Sequence, residues 1–165
     1  MKKIVKVAAH KGAVHLAPQN TIPAFAKAVE VGADMIEIDV HTTSDGELVV
    51  IHNHTVDGLT NGTGRVAEMT LSEIKALDAG VAPYVGYKGV RIPTLLEALQ
   101  YIKRAGVEVN VEIKSARVDQ VVECIRKLRL ERATMISNPS HDLLREAKKL
   151  CPQIRTLLMG IRPAT

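Results

Sequence analysis

The chain has 165 residues, 46% hydrophobic and 24% charged, with 22 Lys and Arg against 18 Asp and Glu and a formal net charge of +4. That length and balance fit one globular domain with room for a proper core, and they exclude a disordered tail or a small disulfide scaffold. No apolar run approaches the roughly 18 residues that cross a bilayer, and Met1-Lys2-Lys3-Ile4-Val5-Lys6 lacks the features of a secretory signal, so a cytoplasmic location is expected.

The apolar run over residues 4–9 predicts a strand. Ile22, Phe25, Ala26 and Val29 then recur at helical spacing until Gly32 ends the helix. Residues 35–40 form a second predicted strand and 48–51 a third, joined by a Ser44-Asp45-Gly46 turn. After His52 comes a long polar stretch with Asn61-Gly62 and Gly64, read as a loop and helix insertion over residues 53–92. Within it, Thr70-Leu71-Ser72-Glu73 has capping-box spacing and predicts a short helix.

Past Pro93 the alternation resumes. Leu95, Leu96, Leu99 and Ile102 predict a helix ended by Gly106, and residues 108–113 the next strand. Val118, Val121, Val122, Ile125 and Leu128 predict another helix, followed by a strand over 134–137. A helix through Leu143, Leu144, Ala147 and Leu150 stops before Pro152, and residues 154–159 form a last strand. Six strands with intervening helices predict a parallel α/β sheet.

The basic excess sits late: residues 1–110 carry 11 basic and 12 acidic side chains, residues 111–165 carry 11 and 6. Arg126, Lys127, Arg129 and Arg132, then Arg145, Lys148 and Lys149, alternate with apolar residues at helical spacing and read as solvated helix faces. With no Trp, one Phe and three Tyr, stacking partners for nucleic acid are nearly absent, and none is expected as a partner. Cys124 and Cys151 have no close cysteine spacing and read as buried or free thiols.

The chemistry-bearing residues fall at or just past the C-terminal ends of predicted strands, where parallel α/β folds build their sites. His10-Lys11-Gly12 follows the first strand, and His52 ends the third. Glu37 and Asp39 share one face of the second strand, and Asn110, Glu112 and Lys114 share a face of the strand after Gly106, because side chains alternate with a period of two. Three carboxylates gathered in one concave site are costly unless a cation balances them, and hard oxygen ligands suit Ca²⁺ or Mg²⁺. His10 and His52 can exchange protons near neutral pH, whereas His15, His41, His54 and His141 read as surface or hydrogen-bonded histidines.

The run His10-Lys11-Gly12, Ala17-Pro18-Gln19-Asn20-Thr21, Ala24-Phe25 and Gly32-Ala33-Asp34-Met35-Ile36-Glu37-Ile38-Asp39-Val40 resembles the opening of the glycerophosphodiester phosphodiesterase family. The likeness continues through Thr43-Ser44-Asp45-Gly46, Val49-Val50-Ile51-His52, Thr60-Asn61-Gly62-Thr63-Gly64, Ile92-Pro93-Thr94-Leu95 and Val111-Glu112-Ile113-Lys114, covering essentially the whole chain. The resemblance implies a TIM-type (β/α) barrel that hydrolyses glycerophosphodiesters to glycerol 3-phosphate and an alcohol. It implies that Glu37, Asp39 and Glu112 bind a divalent cation, Ca²⁺ or Mg²⁺, that His10 and His52 are the general acid/base pair, and that Lys11 and Lys114 meet the phosphate.

Several positions depart from the family pattern. Lys11 stands where Arg is usual, Gln19 where Glu is usual and Asn53 where Asp is usual, so a bidentate fork becomes a point charge and two carboxylates are lost. Gly58 replaces a common Arg and Asn138 a common Phe. These changes keep two other readings open: a non-catalytic binder of phosphorylated metabolites, and a phospholipase D-type activity on lysolipids. Length adds a further expectation, since a closed (β/α)₈ barrel typically takes about 250 residues. About six of its eight strands are expected here, with a homo-oligomer or a missing C-terminal segment completing the barrel.

Overall fold

The computed structural model describes residues 5–81 and 83–160; Ile4, at the start of the first predicted strand, lies outside them. Six strands and five helices follow in the order β1 (Ala8–His10), α1 (Ile22–Glu30), β2 (Met35–Thr42), β3 (Leu48–Val50), α2 (Leu71–Ala76), α3 (Leu95–Ala105), β4 (Glu108–Ile113), α4 (Val118–Lys127), β5 (Thr134–Asn138), α5 (His141–Leu150) and β6 (Arg155–Leu158). A single 3₁₀ turn, Val66–Glu68, precedes α2. No helix among the described residues is long and apolar enough to cross a membrane.

Helix starts follow local chemistry. Thr70 and Thr94 each accept from the backbone N–H three residues on, while Glu73 and Glu97 reach back to the cap backbone, so α2 and α3 both open on capping boxes. Thr21 caps α1, and Gly106, in the left-handed region at φ 71°, ends α3.

The parallel strands lie in the order β1-β2-β4-β5-β6. β3 differs from the expected parallel arrangement: it pairs antiparallel with β2, matching Val40 with Val50 and Thr42 with Leu48. Its Ser44-Asp45-Gly46 connection can only reverse the chain, since a parallel crossover needs a dozen or more residues. β3 is therefore a hairpin arm on the C-terminal end of β2, and β4 takes the place beside β2.

Strand alternation divides the sheet into two chemically distinct faces. Ile36, Ile38, Val40, Val109, Val111, Ile113 and Ile136 pack against Phe25, Leu99, Ile102, Val121, Ile125 and Ala147 of the helices. Each of the Val, Leu, Ile and Phe side chains among them contributes about 1.5–3 kcal/mol. The intervening residues Glu37, Asp39, His41, Asn110, Glu112 and Ser137 are polar, and all are buried. A second apolar cluster, Val49, Ile51, Val56, Val66, Ile74, Ala79 and Ile92, ties the segment from 53 to 92 onto β3.

Gly12 fixes the turn that follows β1. Its φ is +81°, and a Cβ there would meet the Ala24 backbone at 2.8 Å. Gly12→Ala is expected to destabilise the protein by about 2–4 kcal/mol, through backbone strain and a clash against a helix that cannot yield. Urea unfolding of the two proteins checks it.

Candidate active site

Register assembles the site. His10 on β1 pairs with Glu37 on β2, Glu37 with Asn110 on β4, and one step further Asp39 pairs with Glu112 and Glu112 with Ser137 on β5. Two adjacent rows of polar residues thus cross the C-terminal end of the sheet. Ligand oxygens of Glu37, Asp39 and Glu112 all lie within 4.8 Å of one another, and all three residues are buried. Two full charges at that spacing repel by roughly 3 kcal/mol even at an effective dielectric of about 20. Burial first, then the neighbouring Asp39, pushes the Glu37 carboxyl from 4.5 up to about 7.

Each acidic residue on β2 is held by one oxygen and leaves the other open. The Lys11 N–H donates to Glu37 Oε2 at 2.9 Å, and the Asn20 side-chain amide donates to Asp39 Oδ2 at 2.8 Å. Glu37 Oε1 is buried without a hydrogen bond; so is Asp39 Oδ1, which has only the Lys114 ammonium 3.3 Å away. Lys114 also hydrogen-bonds Glu112 Oε1. Burial works against its charge, but the bond to Glu112 and the Asp39 carboxylate outweigh that and hold its pKa above the usual lysine value. Three carboxylates against the ammonium groups of Lys114, which bonds Glu112, and Lys11, whose field reaches Glu37, leave a net negative charge when all are ionised. Oxygen donors, two open lone-pair sites and that residual charge fit a divalent cation.

The structure brings the other predicted residues to the same place. His10 Nε2 lies 3.9 Å from Glu37 Oε2. Its pKa is lowered from 6.5, by burial first and then by the Lys11 ammonium, and the fields of Asp39, His52 and Glu112 all reach it. His52 lies two residues past the end of β3, not within it, and the Ile51 N–H still bonds the Asp39 carbonyl at 3.0 Å. Its Nδ1 is 2.7 Å from Asn53 Oδ1. An amide oxygen only accepts, so Nδ1 is the donor here, and in the neutral ring the lone pair sits on Nε2. Lys11 itself sits in the left-handed region at φ 59°.

Asn20 and Ser137 escaped the sequence reading as site residues, and Asn110 entered it only through its place on the Glu112 face. Asn20 is 2% exposed, sits at φ 57° and clamps Asp39 twice, since it also accepts from the Asp39 N–H at 3.2 Å. Nothing local in the sequence joins positions 19 residues apart; the tolerance of Asn for that backbone region is the one available signal. Asn110 and Ser137 add buried oxygens without a hydrogen bond, Oδ1 and Oγ, beside Glu37 and Glu112. His41 is buried and bonded at both ring nitrogens, and burial lowers its pKa.

Residues 10–160 match the model of the glycerophosphoryl diester phosphodiesterase family. The chain belongs to that family. It is 44% identical over 159 residues to the glycerophosphodiester phosphodiesterase of Caldanaerobacter subterraneus subsp. tengcongensis, covering 93% of this chain and 65% of the relative. The crystal structure of an Agrobacterium tumefaciens glycerophosphodiester phosphodiesterase is similar at a TM-score of 0.86 and 36% identity, over 93% of this chain and 66% of that one. An Oleispira antarctica phosphodiesterase in complex with its product sn-glycerol-3-phosphate is similar at 0.81 and 31%, over 92% and 64%. Against these neighbours the described strands are part of a TIM-type α/β barrel. The chain spans 65% of the length of the first of these relatives.

Proposed function

We propose that this member of the glycerophosphoryl diester phosphodiesterase family cleaves glycerophosphodiesters to glycerol 3-phosphate and an alcohol. The observation that carries the reading is the buried Glu37, Asp39 and Glu112 cluster, with unbonded oxygens on Glu37 and Asp39 and with His10, His52 and Lys114 around it. The product bound to the Oleispira relative supports the substrate class.

Glu37, Asp39 and Glu112 would hold a divalent cation, and an all-oxygen donor set suits Ca²⁺ or Mg²⁺. When bound, such a cation supplies positive charge to phosphoryl oxygens on which negative charge grows. His10 and His52 move the protons: one imidazole takes the proton of the attacking hydroxyl, and the other protonates the departing alkoxide. Asn53 fixes which nitrogen of His52 can do this, leaving Nε2 free. Lys114 and Lys11 add ammonium charge on the phosphate side, so a dianionic product is matched by fixed cations. Asn20 keeps Asp39 Oδ1 turned to the site by holding the other oxygen.

A hydrolysis panel on the purified protein tests this. Glycerol 3-phosphate release from glycerophosphocholine, glycerophosphoethanolamine and glycerophosphoglycerol is expected with Ca²⁺ or Mg²⁺ and lost with a chelator. Tight binding with no product after prolonged incubation would overturn it in favour of a binding protein. Turnover of lysolipids alone would move the substrate class to lipid.

A further inference from the structure

His41 follows Glu37 and Asp39 on the same face of β2, and no step above uses it. It is 1% exposed, and its ring is bonded at both nitrogens. Nε2 lies 3.1 Å from the His52 carbonyl oxygen, and Nδ1 lies 2.8 Å from Ser115 Oγ. A carbonyl only accepts, so Nε2 carries the ring proton; the Nδ1 lone pair then accepts from the Ser115 hydroxyl. The His54 ring closes against it edge-on, with centroids 4.9 Å apart at 81°.

Both partners belong to the catalytic neighbourhood. One is the backbone of His52 itself; the other directly follows Lys114. The Lys114 and Ser115 N–H groups bond the Val40 carbonyl at 3.0 and 3.4 Å, so the loop after β4 is anchored to β2 at the residue before His41. One buried imidazole therefore spans from the loop after β3 to the loop after β4.

We propose that His41 is a positioning residue, a neutral strut that fixes His52 relative to Lys114 by bonding the backbone of one and the sequence neighbour of the other. The proposal rests on reading His52 as a proton-transfer group. Misplacing such a group by about 1 Å is enough to lower turnover by roughly 10²-fold. A core histidine kept only for packing would affect stability and leave turnover per folded molecule unchanged.

Two substitutions separate the ends of the strut. His41→Gln can still donate to the His52 carbonyl, whereas His41→Asn reaches only towards Ser115. We expect His41→Asn to lower kcat about 10²-fold with KM changed less than about 3-fold, and His41→Gln to stay within about 5-fold of wild type. In protein labelled with ¹⁵N-histidine, His52 should show one tautomer, protonated at Nδ1, in wild type and His41→Gln, and an averaged ring signal in His41→Asn. Equal kcat and equal His52 spectra for the two variants would overturn the strut. Should His41→Asn fail to fold, Ser115→Ala decides: like His41→Gln it breaks only the Ser115 end, so a fall of about 2- to 5-fold in kcat at unchanged KM is expected, and wild-type kcat overturns the proposal. If wild-type protein hydrolyses no substrate, the functional reading falls, and the His52 spectrum alone judges the strut.

Discussion

His10→Ala and His52→Ala are each expected to lower kcat for glycerophosphodiester hydrolysis by about 10²- to 10⁴-fold, the usual range for removing a positioned general acid or base. The two variants should differ in another respect. His10 lies 3.9 Å from Glu37, so its loss also alters the field over the carboxylates, whereas His52 is tied to Asn53 and to the His41 ring. Calorimetry should therefore find cation affinity changed in His10→Ala and preserved in His52→Ala. The double variant should be little worse than the weaker single one, because an acid and a base that serve one transition state act as a unit. Each variant should also lose one limb of the bell-shaped pH–rate profile. Turnover within about 3-fold of wild type in either would remove that histidine from the proton-transfer pair.

How much of this site could be read from the chain depends on which contacts are local. The Glu37 and Asp39 pair needs only strand alternation, and so does the sharing of a face by Asn110, Glu112 and Lys114. Bringing the two sets together needs the strand order, and there the expectation of six parallel strands was misleading. Five strands run parallel, and β3 folds back on β2. The signal was present in the short Ser44-Asp45-Gly46 connection, too short for a crossover. Once β3 is a hairpin arm, Asp39 lies directly across from Glu112, and the third carboxylate follows from geometry. The Thr70 and Thr94 caps have the same local character, and of the two only the Thr70 box was singled out from spacing. Asn20 and His41 are different: their partners lie 19, 11 and 74 residues away, and only the folded backbone brings them into reach.

Cation binding and protein stability should be linked through Glu37. Its carboxyl is raised in the folded protein to about 7 from an ordinary 4.5, by burial and by the Asp39 charge. A carboxyl raised on folding contributes stability that is fully present below its ordinary pKa and is lost as pH rises through the folded value. Metal-free protein should therefore weaken between about pH 5 and pH 8, by about 3 kcal/mol if Glu37 acts alone. For a domain of this size that is a fall in Tm of about 6–12 °C. A bound divalent cation reverses the sign of the local field, favours the ionised carboxylates and displaces the Glu37 proton. With Ca²⁺ or Mg²⁺ present, the loss of stability between pH 5 and pH 8 should shrink or vanish. Binding near pH 7 should release protons, seen as a dependence of the calorimetric heat on buffer ionisation enthalpy. Glu37→Gln removes the titrating group, so its metal-free Tm should hardly move over the same range while its cation affinity falls. Parallel Tm curves with chelator and with cation, for wild type, would mean that Glu37, Asp39 and Glu112 keep their charges without either a proton or a metal. That outcome would require the ammonium groups of Lys114 and Lys11 alone to balance all three carboxylates.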